Sequence, residues 1–147
     1  MNHPGVFDKT LHKTTHWIDS VARGMGSTDK DRGYHVLRSV LHAVRDRLPP
    51  DEAVQLGAQL PMLVRGFYYE GWHPANKPEH YRDKQAFLSR IARDVPDLDP
   101  AQRERAAAAV FALLDEEIGG EAAQVRHVLP AKIRELWQEP DGSHTPG

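Results

Sequence analysis

The second half of this sequence repeats the apolar pattern of the first. The copy lies 70 residues after the original until a one-residue slip at Pro49-Pro50 changes the offset to 69. A slip is least costly there, because these prolines and the opposing Gly119-Gly120 favour a turn. The matched pairs before the slip include Trp17/Phe87, Ile18/Leu88, Val21/Ile91, Asp29/Asp99, Val40/Val110, Leu41/Phe111, Val44/Leu114 and Leu48/Ile118. The pairs after it include Glu52/Glu121, Gln55/Gln124, Leu60/Leu129, Pro61/Pro130, Val64/Ile133, Arg65/Arg134 and Glu70/Glu139. The pattern predicts one structural unit that occurs twice.

Within each half, apolar residues recur at steps of three and four, which is typical of amphipathic helices. Turn-forming residues divide each half into four such segments. The second helix is expected to begin near Asp29 and to end before Pro49-Pro50, because proline disfavours helical backbone at the residue before it. In the second half, Asp99 is expected to cap a helix that Gly119-Gly120 ends.

These segments predict an all-α fold, in which tandem duplicated four-helix units pack into one helical bundle of about eight helices. Each unit has about 70 residues, a size at which a separate core is marginal, so the two units are expected to share one core. We therefore predict a single globular domain over 1–147, with repeats over about 7–73 and 77–139 and a frayed tail over 140–147. The first helix is expected to turn one stripe inward, formed by Leu11, Thr14, Ile18, Val21 and Met25.

The composition excludes several classes of function. Hydrophobic residues make up 39% and charged residues 27%, which are ordinary globular values. The formal charge is −2, and residues of both signs are interleaved. This balance argues against a dedicated nucleic-acid binder, which usually has a net basic face. The absence of cysteine excludes disulfides, thiolate catalysis and cysteine-type zinc sites. No secretory signal and no apolar run of membrane-spanning length is present, so we predict a cytoplasmic protein without a membrane partner.

Sequence motifs give no support to an enzyme. The zinc-protease His-Glu-x-x-His, the Gly-x-Ser-x-Gly elbow and the dinucleotide-binding glycine pattern are all missing. The acidic pair Glu116-Glu117 lies at the end of a predicted helix, where adjacent side chains are expected to point in different directions. We therefore predict no catalytic residues and no cofactor.

Nine histidines are the one unusual feature of the composition. His12 and His16 are four residues apart, so they share a helix face and have a spacing that suits a metal. On the second helix, His35, His42 and Asp46 are expected to lie on the solvent side, in a row that begins at Asp31. Imidazole and carboxylate are suitable ligands for zinc or a similar ion. A solvated helix surface is the commoner role for such residues, and a metal site is the alternative.

The aromatic run before the link between the halves gives the main candidates for binding. Phe67, Tyr68, Tyr69 and Trp72 are expected either to pack between the halves or to form an interface with a partner, and a small-molecule pocket is a third possibility.

Arg65 and Arg134 occupy equivalent positions and are expected to form buried or bidentate ion pairs. The candidate partners are Glu52 and Glu121 or Glu70 and Glu139. The alternative is a basic patch that contacts an anion or nucleic acid, formed by Arg38, Arg45, Arg47 and Arg65.

Two stretches, 60–74 and 87–93, resemble a bacterial family known as domain of unknown function 2267. They read Leu-Pro-Met-Leu-Val-Arg-Gly-Phe-Tyr-Tyr-Glu-Gly-Trp-His-Pro and Phe-Leu-Ser-Arg-Ile-Ala-Arg, and 41–53 and 56–61 are also similar. The resemblance covers roughly 10–138 and implies an all-helical domain from a bacterium. It implies no activity and no catalytic residues.

Together these features predict a non-catalytic, cytoplasmic helical module that acts through contact with a protein partner or with a second copy of itself. The alternative is a protein that binds a metal or a small ligand through surface histidines.

Overall fold

The computed structural model describes residues 3–137 and has eight helices and no strand in that range. The all-α prediction is confirmed for this part of the chain, and the predicted tail over 140–147 lies outside it. The helices are α1 (Gly5–Gly24), α2 (Lys30–Arg47), α3 (Pro50–Gln59), α4 (Met62–Tyr69), α5 (Lys84–Asp94), α6 (Pro100–Glu117), α7 (Gly119–Val128) and α8 (Ala131–Arg134).

The two longest inner helices begin at the predicted aspartates. The Asp29 carboxylate accepts a hydrogen bond from a backbone N–H group in the first turn of α2. Asp99 and Gln102 form a reciprocal capping box at the start of α6. At the other end of α6 the prediction was wrong, because Ile118 breaks the helix and Gly119 is already the first residue of α7.

The first set of helices is α1–α4 and the second set is α5–α8. The two sets pack together around α2. Helix α1 packs along α2 and also contacts α6, while α5 packs mainly on α2 and also contacts α6. The α2–α6 and α3–α7 contacts complete the junction. One cluster of buried apolar side chains includes residues from all eight helices, among them Trp17, Tyr68, Phe87 and Phe111. Helix α2 therefore has neighbours from both sets.

A glycine allows α1 and α2 to cross closely. A Cβ atom built on Gly33 would lie 2.4 Å from the backbone carbonyl oxygen of Ile18 and 3.1 Å from the Cβ of Ala22. Real Cβ atoms do not approach a carbonyl oxygen so closely, so a side chain at this position would push the helices apart. The missing side chain of Gly33 thus sets the distance between α1 and α2.

Two glutamates from equivalent positions meet where α3 packs on α7. Glu52 accepts a hydrogen bond from the side-chain amide of Gln124 at 3.2 Å. One oxygen of Glu52 and one of Glu121 are buried and have no hydrogen-bond partner among the described residues. Burial, with the nearby charge of Glu52 as a smaller cause, raises the pKa of Glu121. The α3–α7 contact therefore opposes ionisation of Glu121.

We expect Gly33→Ala to lower the free energy of unfolding by about 1–3 kcal/mol, because the methyl group overpacks the α1–α2 contact. The matched control is Gly66→Ala, since a Cβ on the helical Gly66 would meet open space. The control is expected to raise stability by about 0.5–1 kcal/mol. Urea denaturation followed by circular dichroism measures both, and equal effects of the two substitutions would contradict the account.

We expect Glu121→Gln to raise the stability of the protein at pH 7. Because its folded-state pKa lies above the ordinary value of 4.5, folding favours the protonated acid. That contribution is complete below the ordinary pKa and is lost as the pH rises through the folded-state pKa. The gain from Glu121→Gln should therefore shrink in acid, as measured by urea midpoints from pH 7 down to about 4. Glu104→Gln, which neutralises an exposed carboxylate on α6, is the control for the loss of one negative charge.

Candidate functional site

An open groove lies between the N-terminal half of α1 and the start of α4. Its volume is about 410 Å³, and its floor and walls are largely apolar. Four large side chains line it while remaining 45–57% exposed, namely Phe7, Leu11, Met62 and Leu63. Thr10 joins the two walls, because its hydroxyl accepts a hydrogen bond of 3.3 Å from the backbone N–H of Leu63. A contiguous apolar surface is thus exposed on a firmly connected pair of helices.

The predicted burial of Leu11 was wrong. Helix α1 starts at Gly5, whereas α5, which has the equivalent place in the second set, starts only at Lys84. The apolar stripe of α1 therefore continues for more than two turns beyond the segment that has a counterpart in α5. In those turns Leu11 lines an open groove and is 57% exposed.

The second half of the sequence has different residues at the positions of the groove. By the offsets of the repeat, Phe7 and Leu11 correspond to Lys77 and Tyr81. Met62 and Leu63 correspond to alanine and lysine at the start of α8. Positions 77 and 81 precede α5, and Tyr81 is partly buried against the core, so the exposed apolar groups of α1 and α4 are not repeated there.

The aromatic candidates mostly pack against their own half. Tyr68 is fully buried and donates a hydrogen bond of 2.6 Å to the carbonyl oxygen of Ala53, and burial raises the pKa of its phenol. The ring centroids of Tyr69 and Trp72 are 5.5 Å apart. Phe67 makes an edge-to-face contact of 5.2 Å with Tyr34. Tyr68 therefore offers no surface to a partner, and Phe67, Tyr69 and Trp72 are partly buried against the core.

Arg65 caps the C-terminal end of the preceding helix, α3. Its guanidinium donates to backbone carbonyl oxygens at the end of α3, and Arg134 does the same at the end of α7. The acceptors correspond one to one, as Gly57 and Arg126, Ala58 and His127, and Leu60 and Leu129. The predicted ion pair of Arg65 with Glu52 or Glu70 was wrong, because the free carbonyls of a helix C-terminus are close and need donors. Arg134 likewise bonds to carbonyl oxygens, and its candidate partner Glu139 lies outside the described residues.

The surface position predicted for His42 and Asp46 was also wrong, because α4 and α5 cover that side of α2. These residues are only 6% and 5% exposed. His42 Nε2 lies 2.7 Å from the carbonyl oxygen of Phe67, and burial lowers the pKa of its imidazole. A neutral ring that donates to this oxygen fits both observations. His35 is exposed, and its Nδ1 lies 2.8 Å from the carbonyl oxygen of Asp31 on its own helix. The structure thus assigns His42 and Asp46 to the interior.

Asp46 is the centre of a buried ionic network. Arg45 donates two hydrogen bonds to its carboxylate, at 2.9 and 3.1 Å, and Arg90 of α5 donates another. Arg90 also pairs with Glu79 at 3.2 Å, and the backbone N–H of Glu79 donates to the carbonyl oxygen of Asp46. The network fastens the segment between α4 and α5 to α2. The burial of Arg45, which is 3% exposed, removes it from the predicted basic patch, and Arg38 of that patch pairs with Glu70 at 3.1 Å.

We expect Asp46→Asn to lower the free energy of unfolding by about 3 kcal/mol or more, because it leaves buried guanidinium charge without a carboxylate. Asp19→Asn, which breaks the exposed pair with Lys30, is the control and should cost less than about 1 kcal/mol. Denaturant titrations at low and high salt measure both. A small, salt-sensitive loss for Asp46→Asn would contradict a buried role.

Comparison with known proteins gives a family for the chain. None of the helices within residues 3–137 combines the length and apolar character that crossing a membrane would require. No curated protein matches the sequence. A family described as "Uncharacterized conserved protein (DUF2267)" matches residues 14–136, so the match begins after the α1 residues of the groove. Because the match extends over most of the sequence, from α1 to beyond α8, the chain belongs to the DUF2267 family.

Proposed function

We propose that this protein is a non-catalytic interaction module whose groove between α1 and α4 binds a short apolar segment of another protein. The observation that carries the proposal is the exposure of Phe7, Leu11, Met62 and Leu63 around one groove. Contiguous apolar surface of this kind commonly marks a binding site, whereas single exposed apolar residues need no explanation. Two of these residues belong to each helix, so the groove has an apolar side chain on both walls.

An amphipathic helix of a partner protein fits this groove best. Four half-exposed side chains present about a few hundred Å² of apolar surface. A standard stable interface buries roughly 800 Å² on each partner, which is considerably more. A pair of identical chains joined only through this patch would therefore be weak. A helix of two or three turns needs less area, because it binds through a few apolar anchors spaced three or four residues apart.

The proposal includes the origin of the fold and the place of the protein in the cell. We infer that a four-helix unit was duplicated, over about 7–73 and 77–139, to give a single domain. The matched hydrogen bonds of Arg65 and Arg134 support this inference. The family resemblance supports a bacterial origin, and the interleaved charges are compatible with the cytoplasm. Surface divergence after duplication would explain why the second half does not repeat the apolar residues of the groove.

We expect Leu11→Asp and Leu63→Asp to abolish binding of helical peptides selected against the wild-type protein from a display library. A bound peptide would cover the new carboxylate and remove its water without offering it an ionic partner. The affinity for the peptide should therefore fall by about 100-fold or more. Fluorescence anisotropy of the selected peptides measures the change. The selected sequences should carry apolar residues three or four positions apart.

Val54→Asp is the matched control, because Val54 is 49% exposed on α3 and does not line the groove. It should leave peptide affinity unchanged. Binding that survives both groove substitutions, or that falls equally with Val54→Asp, would refute the proposed site. Sedimentation equilibrium tests self-association: a concentration-dependent dimer that Leu11→Asp dissolves would assign the groove to a second copy instead.

A further inference from the structure

A cluster of metal-ligating side chains lies where α1 of the first half packs on α6 of the second. It consists of His16, Glu116 and Glu117, each of which offers one ligand atom, and these atoms all lie within 4.8 Å of one another. His16 Nε2 is 3.3 Å from the nearer carboxylate oxygen of Glu117. The prediction that the two adjacent glutamates point apart was wrong, because both present an oxygen to the same histidine.

The geometry suits a small divalent cation. Zinc lies about 2.0–2.2 Å from imidazole nitrogen and carboxylate oxygen, so two ligands of a tetrahedral site are about 3.4 Å apart. The separation between His16 and Glu117 already has this value. The side chain of His16 is 51% exposed, and Glu116 is also exposed, so both can adjust and water can complete the coordination. One imidazole with two carboxylates is a donor set for zinc or a similar transition metal.

The charge balance of the α1–α6 contact points to a bound cation. In the equivalent α2–α5 contact, the counterpart of Glu116 is Asp46, which two arginines neutralise. The positions that correspond to these arginines, 45 and 90, are occupied by Asp115 and Ser20, and Glu117 stands where the first half has Arg47.

The acidic residues of this contact differ in how they are compensated. Asp115 has a partner in Arg126 at 3.1 Å. Glu116 forms no ion pair with another described residue, and neither does Lys13, one turn before His16 on α1. The contact therefore lacks the two guanidinium groups of its counterpart and has a histidine and two further acids, Asp115 and Glu117. Glu116, at the position of Asp46, has no arginine partner among the described residues.

We propose that His16, Glu116 and Glu117 bind one divalent transition-metal cation of the zinc type between α1 and α6. The ion would replace the arginines of the equivalent contact and connect a helix of the first half to a helix of the second. Because it binds the folded chain, it would also raise the unfolding temperature in proportion to the logarithm of its concentration. The site is separate from the groove between α1 and α4. Metal binding can therefore be tested independently of peptide binding.

Calorimetric titration of ZnCl2 into untagged, chelator-treated protein tests the proposal. We expect one ion per chain, and affinity should fall by about tenfold or more in His16→Ala and in Glu117→Gln. His35→Ala and His127→Ala remove exposed histidines elsewhere and should bind as the wild type does. Binding should weaken as the pH falls, because a coordinating imidazole must be unprotonated.

Thermal unfolding gives a second readout that does not depend on binding heats. Zinc should raise the unfolding temperature of the wild type and of the two control variants but not that of His16→Ala. Circular dichroism without metal checks that each variant is folded, and the size-conserving Glu117→Gln keeps the test valid if His16→Ala is not. A stoichiometry well below one, or full zinc affinity in Glu117→Gln, would overturn the proposal.

Discussion

The structure depends on the burial of α2 by helices from both sets, which takes polar groups of this helix out of water. Ser39 donates a hydrogen bond of 3.1 Å to the carbonyl oxygen of Ile91 on α5. Arg45 donates to the carbonyl oxygens of Tyr68 and Glu70, at the end of α4. Buried polar groups without such partners cost free energy, so these contacts restrict how α4 and α5 can pack on α2. Polar groups of α2 thus help to position one helix of its own set, α4, and one of the second set, α5.

The same arrangement explains why the two halves differ at their surfaces. Core positions must remain apolar in both, because all eight helices contribute to one buried cluster. Surface positions have no such requirement, and there the two halves differ. Phe7 corresponds to Lys77, and His16 corresponds to Ala86. The features proposed to act on other molecules are therefore found where the first half departs from the second, rather than in the framework that the two share.

Sequence patterns predicted the helices well because their signals are local. Asp29 and Asp99 cap the helices they were expected to cap, and α2 ends before the paired prolines. The burial of His42 and Asp46 could not be predicted, because a helical wheel drawn for α2 alone gives it a solvent side that α4 and α5 in fact cover. The exposure of Leu11 was missed for the opposite reason, since the periodicity of α1 does not tell where its neighbours end. The convergence of His16 with Glu116 depends on a contact between residues 100 positions apart.

Hydrogen exchange under increasing denaturant tests most directly whether the two sets of helices share one core. Mass spectrometry of peptides from α2 and from α6 would report the free energy of opening for each set. The account predicts that both helices become exposed in one cooperative transition with the same midpoint. Exposure of α6 at a lower denaturant concentration, with α2 still protected, would contradict it.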